Sequence, residues 1–180
     1  MFDNASRRSF LAAPLALQAI STPSQAAPAI KTKVLGKTGL KVTTVGFGTM
    51  ITSDASVIER AADMGVTYFD TARGYQSGNC ERMVGAALKS RRKQLVLSTK
   101  SNKEDKESAL QELETSLKEL QTDYVDIWYI HAKSKAEQIT EGRLEAQRIA
   151  KQKGMIRFSG VSTHAGFEEV IPAAIKSGAI

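Results

Sequence analysis

The chain has 180 residues, 42% hydrophobic and 24% charged, the make-up of one ordinary globular domain. A net charge of +6 and a pI of about 9.5 would suit nucleic acid, but the lysines and arginines are spread along predicted helices and loops with no aromatic-laced stripe. They read as a solvated surface, so no nucleic-acid partner is expected. One cysteine, Cys80, excludes an intramolecular disulfide, and with only two histidines beside it no structural zinc site of the usual kind is expected.

The first 27 residues read as an address. Ser6-Arg7-Arg8-Ser9-Phe10-Leu11 holds paired arginines. An apolar stretch follows over residues 11–20, too short to cross a bilayer as a helix. Ser24-Gln25-Ala26-Ala27 then supplies the small residues of a cleavage site. The paired arginines make this resemble a twin-arginine signal, whose cargo crosses the membrane already folded. The expectation is an exported, periplasmic protein with the twin-arginine export machinery as a partner, and a folded domain over residues 28–180.

In the domain, residues 33–43 predict a hairpin turning at Gly36-Lys37-Thr38-Gly39. Residues 45–50 predict a first buried strand. Ser53-Asp54 caps a helix running to Met64, with Gly65 as its stop. Residues 66–70 predict the second strand. Gly78-Asn79 opens a helix to Lys89, with Met83, Val84, Ala87 and Leu88 on one face.

The third strand is predicted at residues 94–99. Asp105 opens a long helix on which Leu110, Leu113, Leu117 and Leu120 recur at helical spacing. Residues 125–130 predict the fourth strand, with Trp128 as packing. A polar helix at residues 140–153 ends at Gly154. Residues 155–162 predict the fifth strand. The last predicted helix, residues 167–177, carries Pro172, which is expected to kink or restart it.

Five strand–helix alternations with short links argue a parallel sheet with helices outside it. An open nucleotide-binding sheet would want Gly-x-Gly-x-x-Gly after its first strand, and Gly46-Phe47-Gly48 lacks the third glycine. Polar residues instead end strands two to five alike, the habit of a barrel whose strands feed one mouth. The fold class expected is α/β, a (β/α)8 TIM barrel of which about five units are present.

The mouth would gather Asp70, Tyr75, Lys100 and His131. A phenol of ordinary pKa about 10 becomes a better acid when an ammonium stabilises its phenolate. Lys100 can supply the ammonium and Asp70 can hold it charged. A neutral His131 can donate a hydrogen bond to an oxygen gaining negative charge. These groups protonate and polarise a carbonyl but bring no hydride, so a nicotinamide cofactor would have to supply it. Singly, each has a plain structural role open to it; four in order at consecutive strand ends favour chemistry. His164 reads as a loop residue.

Gly-Val-Thr-Tyr-Phe-Asp-Thr-Ala-Arg-Gly-Tyr at 65–75, followed by Asn79-Cys80-Glu81, resembles the signature of the aldo-keto reductases. Ser98-Thr99-Lys100, Asp123-Tyr124-Val125-Asp126 with His131, and Gly160-Val161-Ser162-Thr163-His164 are similar to its later blocks. The resemblance implies a (β/α)8 barrel, NADPH as cofactor with NADH possible, and a small carbonyl substrate. It also implies that Tyr75 is the general acid, Lys100 tunes it, Asp70 pairs with Lys100 and His131 orients the carbonyl. Gly48, Thr49 and Met50 match positions lining the nicotinamide, as does Asp70. Ser162 and Thr163 match the pair holding the carboxamide, Thr163 standing where many members have asparagine. Cys80 stands where serine is common.

Such a barrel typically needs ~250 residues. Five strands are legible in this chain, and the family's nicotinamide-stacking ring and 2′-phosphate loops belong to later ones. The expectation is part of a longer reductase, unstable or self-associating as this chain alone and a poor binder of NADPH. Two other readings stay open: a lyase using Lys100 as a Schiff base, which needs a lowered lysine pKa, and a truncated, catalytically inactive barrel fragment or exported binding module. Substrate and oligomeric state are not legible.

Overall fold

The computed structural model describes residues 29–178, so the export signal read at residues 1–27 lies outside the described residues. A short antiparallel hairpin comes first, β1 (Thr32–Val34) against β2 (Lys41–Thr43). Five strands follow, β3 (Phe47–Gly48), β4 (Tyr68–Asp70), β5 (Val96–Ser101), β6 (Val125–Ile130) and β7 (Ile156–Val161). Between them lie helices α1 (Ala55–Asp63), α2 (Asn79–Leu88), α3 (Lys106–Glu119) and α4 (Glu141–Gln152), with α5 (Phe167–Lys176) after β7.

The sheet order is β3-β4-β5-β6-β7, and every neighbouring pair is parallel. Strand order never reverses, so the crevice of a doubly wound sheet is absent among the described residues. This is an arc of a (β/α)8 barrel.

The helix starts fall where short polar side chains can accept from free amides. Asp54 Oδ1 accepts from Ser56 N at 2.8 Å, and Asp105 Oδ1 accepts from Ser108 N at 2.8 Å. Pro172 lies inside α5, which is one uninterrupted helix rather than a restarted one.

The two-residue period of the strands sorts side chains into two cores. Outward residues such as Phe69, Leu97 and Trp128 pack with Val84, Leu88, Leu113 and Leu120 of the helical layer. Inward residues Val96 and Ile127 pack with Leu40 and Val42 of the hairpin, against Tyr68, Tyr129 and Phe158. Thr43 and Thr67 tie the hairpin to the base of β4: each backbone N donates to the other's Oγ1 at 3.0 Å. The hairpin thus plugs the N-terminal end of the barrel, and the opposite end is left for polar groups.

Two expectations need correction. The first strand is two residues long, not six, and Val45 and Met50 are 59% and 57% exposed. Gly46 and Gly48 have no side chain to bury, and only Phe47 packs, against Phe69 with ring centroids 5.8 Å apart. The third strand runs from Val96 to Ser101 rather than over 94–99. A 3-10 turn over Lys89–Gln94 delays its start, and pairing with β6 as far as Ser101↔Ile130 carries it on. Lys100 is therefore inside the strand and held by it.

Among the described residues β7 has one hydrogen-bonded neighbour, β6. On α5, Phe167, Ile171 and Ile175 recur every four residues, and all three are exposed. Free strand edges and apolar stripes promote association. A polypeptide of these 180 residues is expected to self-associate, with sedimentation velocity showing species heavier than 19.5 kDa. A monomer with one sharp, cooperative melt would contradict this.

Candidate active site

Asp70 ends β4 opposite Ser98, and Lys100 sits one inward step farther along β5, one residue from its end, so strand geometry points both toward the same mouth. Lys100 Nζ donates to Asp70 Oδ2 at 2.5 Å, to the Thr71 carbonyl at 2.7 Å and to the Tyr75 phenol oxygen at 3.3 Å. An ammonium has three protons, and all three have an acceptor here. An amine nucleophile needs a free lone pair, so this arrangement gives no support to a Schiff base on Lys100.

Tyr75 reaches the site from the turn after β4. Its ring lies edge-on to His131, with centroids 5.6 Å apart, and Lys100 Nζ stands 4.8 Å from the ring centre. Behind Tyr75, Gln76 and Ser77 hold φ of 48° and 53°, the left-handed region that costs non-glycine residues of order 1–3 kcal/mol. The Gln76 amide offsets that by donating to the carbonyls of Met50 at 3.1 Å and Thr52 at 2.8 Å, joining the Tyr75 turn to the loop after β3.

Below the turn, Arg73 pairs with Glu81 of α2 at 2.7 Å, and Thr99 Oγ1 donates to the other Glu81 oxygen at 2.6 Å. Burial is the main force pushing the Glu81 carboxyl above its usual range, and these partners oppose it. Strand, turn and helix are thereby fixed around Tyr75.

His131 follows β6, and Asn102 Nδ2 lies 3.4 Å from its Nδ1. With that amide nitrogen as donor, Nδ1 is the acceptor and Nε2 carries the ring proton. Burial, and then the Lys100 charge, hold His131 below its ordinary value of 6.5. The ring is neutral at pH 7 and presents an N–H.

The four residues read at the mouth are therefore one cluster. The predicted cofactor positions surround it. Gly48 closes β3 with open space where a side chain would be, and Met50 is exposed. Thr49 is buried, donates its backbone N to the Asp70 carbonyl at 3.0 Å, and keeps a buried hydroxyl without a hydrogen-bond partner. Ser162 follows β7: its N donates to the Ile130 carbonyl at 2.9 Å and its Oγ accepts from Ala132 N at 2.8 Å. These bonds set it beside the His131 backbone. Thr163 spends its hydroxyl on the Ala165 carbonyl at 2.5 Å. Cys80 is buried with its thiol donating to the Thr49 carbonyl at 3.1 Å, and His164 is in a loop, as read.

Sequence reading missed Asn102, Ser98, Gln76 and the Arg73–Glu81 pair. Ser98 and Asn102 lie two residues either side of Lys100, so the strand period itself was a usable signal. Arg73 and Glu81 stand in the quoted signature, but nothing in it marks them as a pair, and Gln76 carries no local pattern that marks it.

Over residues 44–176 the chain matches the aldo/keto reductase family. It is 31% identical over 151 residues to an uncharacterized oxidoreductase, YqkF, of Bacillus subtilis (strain 168), covering 74% of this chain and 49% of that protein. The aldo-keto reductase AKR11C1 from Bacillus halodurans superposes with a TM-score of 0.69 at 32% identity, over 74% of this chain and 50% of that one. An aldo/keto reductase from Klebsiella pneumoniae in complex with NADP and acetate gives a TM-score of 0.63 at 28% identity, over the same 74% and 50%. The chain spans about half the length of the relatives it matches.

The neutral state of His131 has a sign that can be tested. A depressed folded value means the unfolded chain binds the proton first as pH falls. This stabilising contribution is present above pH 6.5 and is lost as pH drops through the folded midpoint. Proton NMR titration of the His131 ring should give a midpoint below 6.5, and Lys100→Met should raise it by removing a like charge. A midpoint at or above 6.5 in the parent would contradict the geometry.

Proposed function

The chain belongs to the aldo/keto reductase family, and on that premise we propose that it is an oxidoreductase reducing an aldehyde or ketone to its alcohol, with Tyr75 as general acid. NADPH is the proposed cofactor, with NADH the alternative. The observation that carries the reading is the position of Lys100 Nζ, between Asp70 at 2.5 Å and the Tyr75 oxygen at 3.3 Å.

The residues around the mouth fit the nicotinamide end of such a cofactor. Gly48 leaves open room above β3, Thr49 keeps an unspent buried hydroxyl, and Ser162 Oγ accepts from Ala132 while its own proton is free to donate. Met50 and Thr163 complete the proposed rim. Bound there, the cofactor would supply hydride.

The chain's own groups handle the proton and the charge. Neutral His131 offers Nε2–H to the carbonyl oxygen as negative charge grows on it. Tyr75 transfers its phenolic proton to that oxygen. The Lys100 ammonium stabilises the phenolate that remains, and Asp70 keeps Lys100 charged and aimed. The buried Thr71 carbonyl fixes the third ammonium proton and so the direction of the other two.

Tyr75→Phe removes only the transferable proton. General-acid loss of this kind typically costs 10²–10⁴-fold in rate. Steady-state reduction of an aromatic aldehyde should show kcat falling by roughly that range, while NADPH affinity from fluorescence titration stays within about twofold, because the ring remains. A variant with parental kcat would remove Tyr75 from the acid role.

A further inference from the structure

Asp70 has two carboxylate oxygens, and Lys100 engages only one. The other, Oδ1, accepts from Ser98 Oγ at 2.5 Å. Ser98 is fully buried, two residues before Lys100 on the same inward face of β5, and directly opposite Asp70 in the parallel register. The chain of hydroxyls does not end there. Tyr68 OH lies 3.2 Å from Ser98 Oγ and 3.2 Å from Tyr129 OH.

Hydroxyl directions along this chain are fixed by one fact: a carboxylate can only accept. Ser98 spends its single proton on Asp70, so its oxygen accepts from Tyr68. Tyr68 has then spent its proton, so its oxygen accepts from Tyr129. Every O–H dipole points the same way, toward Asp70, and such chains polarise one another. Burial first, and then Tyr68 and Asp70, push the Tyr129 phenol well above its ordinary value, which suits a group that stays a donor.

Room for the two rings is built into the neighbouring backbone. A Cβ on Gly160 of β7 would lie 2.5 Å from the Tyr129 ring, and one on Gly46 would lie 3.0 Å from the Tyr68 ring. Real side chains do not tolerate the first contact.

We infer that Ser98, Tyr68 and Tyr129 form a polarised hydroxyl ladder that positions the Asp70 carboxylate and, through it, sets where the Lys100 ammonium stands relative to Tyr75. Ser98 and the tyrosines are positioning residues; they touch neither Tyr75 nor any reacting atom. The consequence for rate rests on the reductase reading above, but the effect on Lys100 does not.

The test compares Ser98→Ala, Ser98→Thr and Tyr68→Phe in the protein, with circular dichroism melts as the folding control. Ser98→Ala should lower kcat about tenfold, as expected when a hydrogen bond to a charged group is lost, with KM and NADPH affinity little changed and a shifted pH–rate profile. Ser98→Thr restores the hydroxyl and should recover most of the loss. Tyr68→Phe should move the same quantities in the same direction by less. In parallel, reductive methylation mapped by mass spectrometry should label Lys100 faster in Ser98→Ala than in the parent, and Ser98→Thr should slow it again. Equal Lys100 labelling in parent and Ser98→Ala, with kcat and pH profile retained in both hydroxyl deletions, overturns the ladder. If the full-length parent reduces no aldehyde, the reductase reading fails by itself, and the labelling rates still decide the ladder.

Discussion

The Asp70–Lys100 ion pair is the interaction on which the rest of this mouth depends. Lys100 is 7% exposed at its side chain and Asp70 30%, so the pair is partly withdrawn from water and each charge needs the other. Removing one partner of such a buried pair leaves an uncompensated charge, which costs on the order of 3 kcal/mol, a figure to be lowered for the exposure of Asp70. The same bond aims the ammonium. Its remaining protons are directed at the Thr71 carbonyl and the Tyr75 oxygen. The fold supplies the pair through strand register alone: β4 and β5 are parallel with Asp70 opposite Ser98, which puts Lys100 one inward step farther on. Packing on the outward face, where Phe69 and Leu97 meet the helices, holds that register.

Around the pair, two layers of polar contacts stiffen the mouth from opposite sides. On the helix side, Thr99 and Arg73 meet at Glu81, and Gln76 bolts the Tyr75 turn to the Met50–Thr52 loop. On the barrel side, the hydroxyls of Ser98, Tyr68 and Tyr129 converge on Asp70. Alternate residues of one strand serve the two sides, Thr99 outward and Ser98 with Lys100 inward. The hairpin residues Leu40 and Val42 fill the far end of the interior, which leaves the strand ends as the place where polar chemistry can gather.

Much of this was legible in the sequence because it is local. Helix starts at Asp54 and Asp105 and the stop at Gly65 follow from capping chemistry and glycine's left-handed freedom, which neighbours do not alter. The site quartet was legible because strand ends in a parallel sheet share a side, so order along the chain becomes proximity in space. The first strand misled because Gly46 and Gly48 flank Phe47 in an apolar-looking run, while a strand needs side chains to bury. The third strand was misplaced by two residues because the basic turn before it closes through backbone bonds that leave no mark in the pattern. The ladder was not legible at all. Ser98, Tyr68 and Tyr129 lie on three neighbouring strands, and only the tertiary register makes them consecutive.

The central claim is that Lys100 acts on catalysis through Tyr75. The most direct test is a double-mutant cycle on kcat/KM with Lys100→Met and Tyr75→Phe. If the two residues act as one unit, the double variant should be no more than about twofold worse than Tyr75→Phe alone, because the second change removes something already without use. If the two losses multiply as for independent sites, Lys100 works by a route that bypasses Tyr75, and the central claim is wrong.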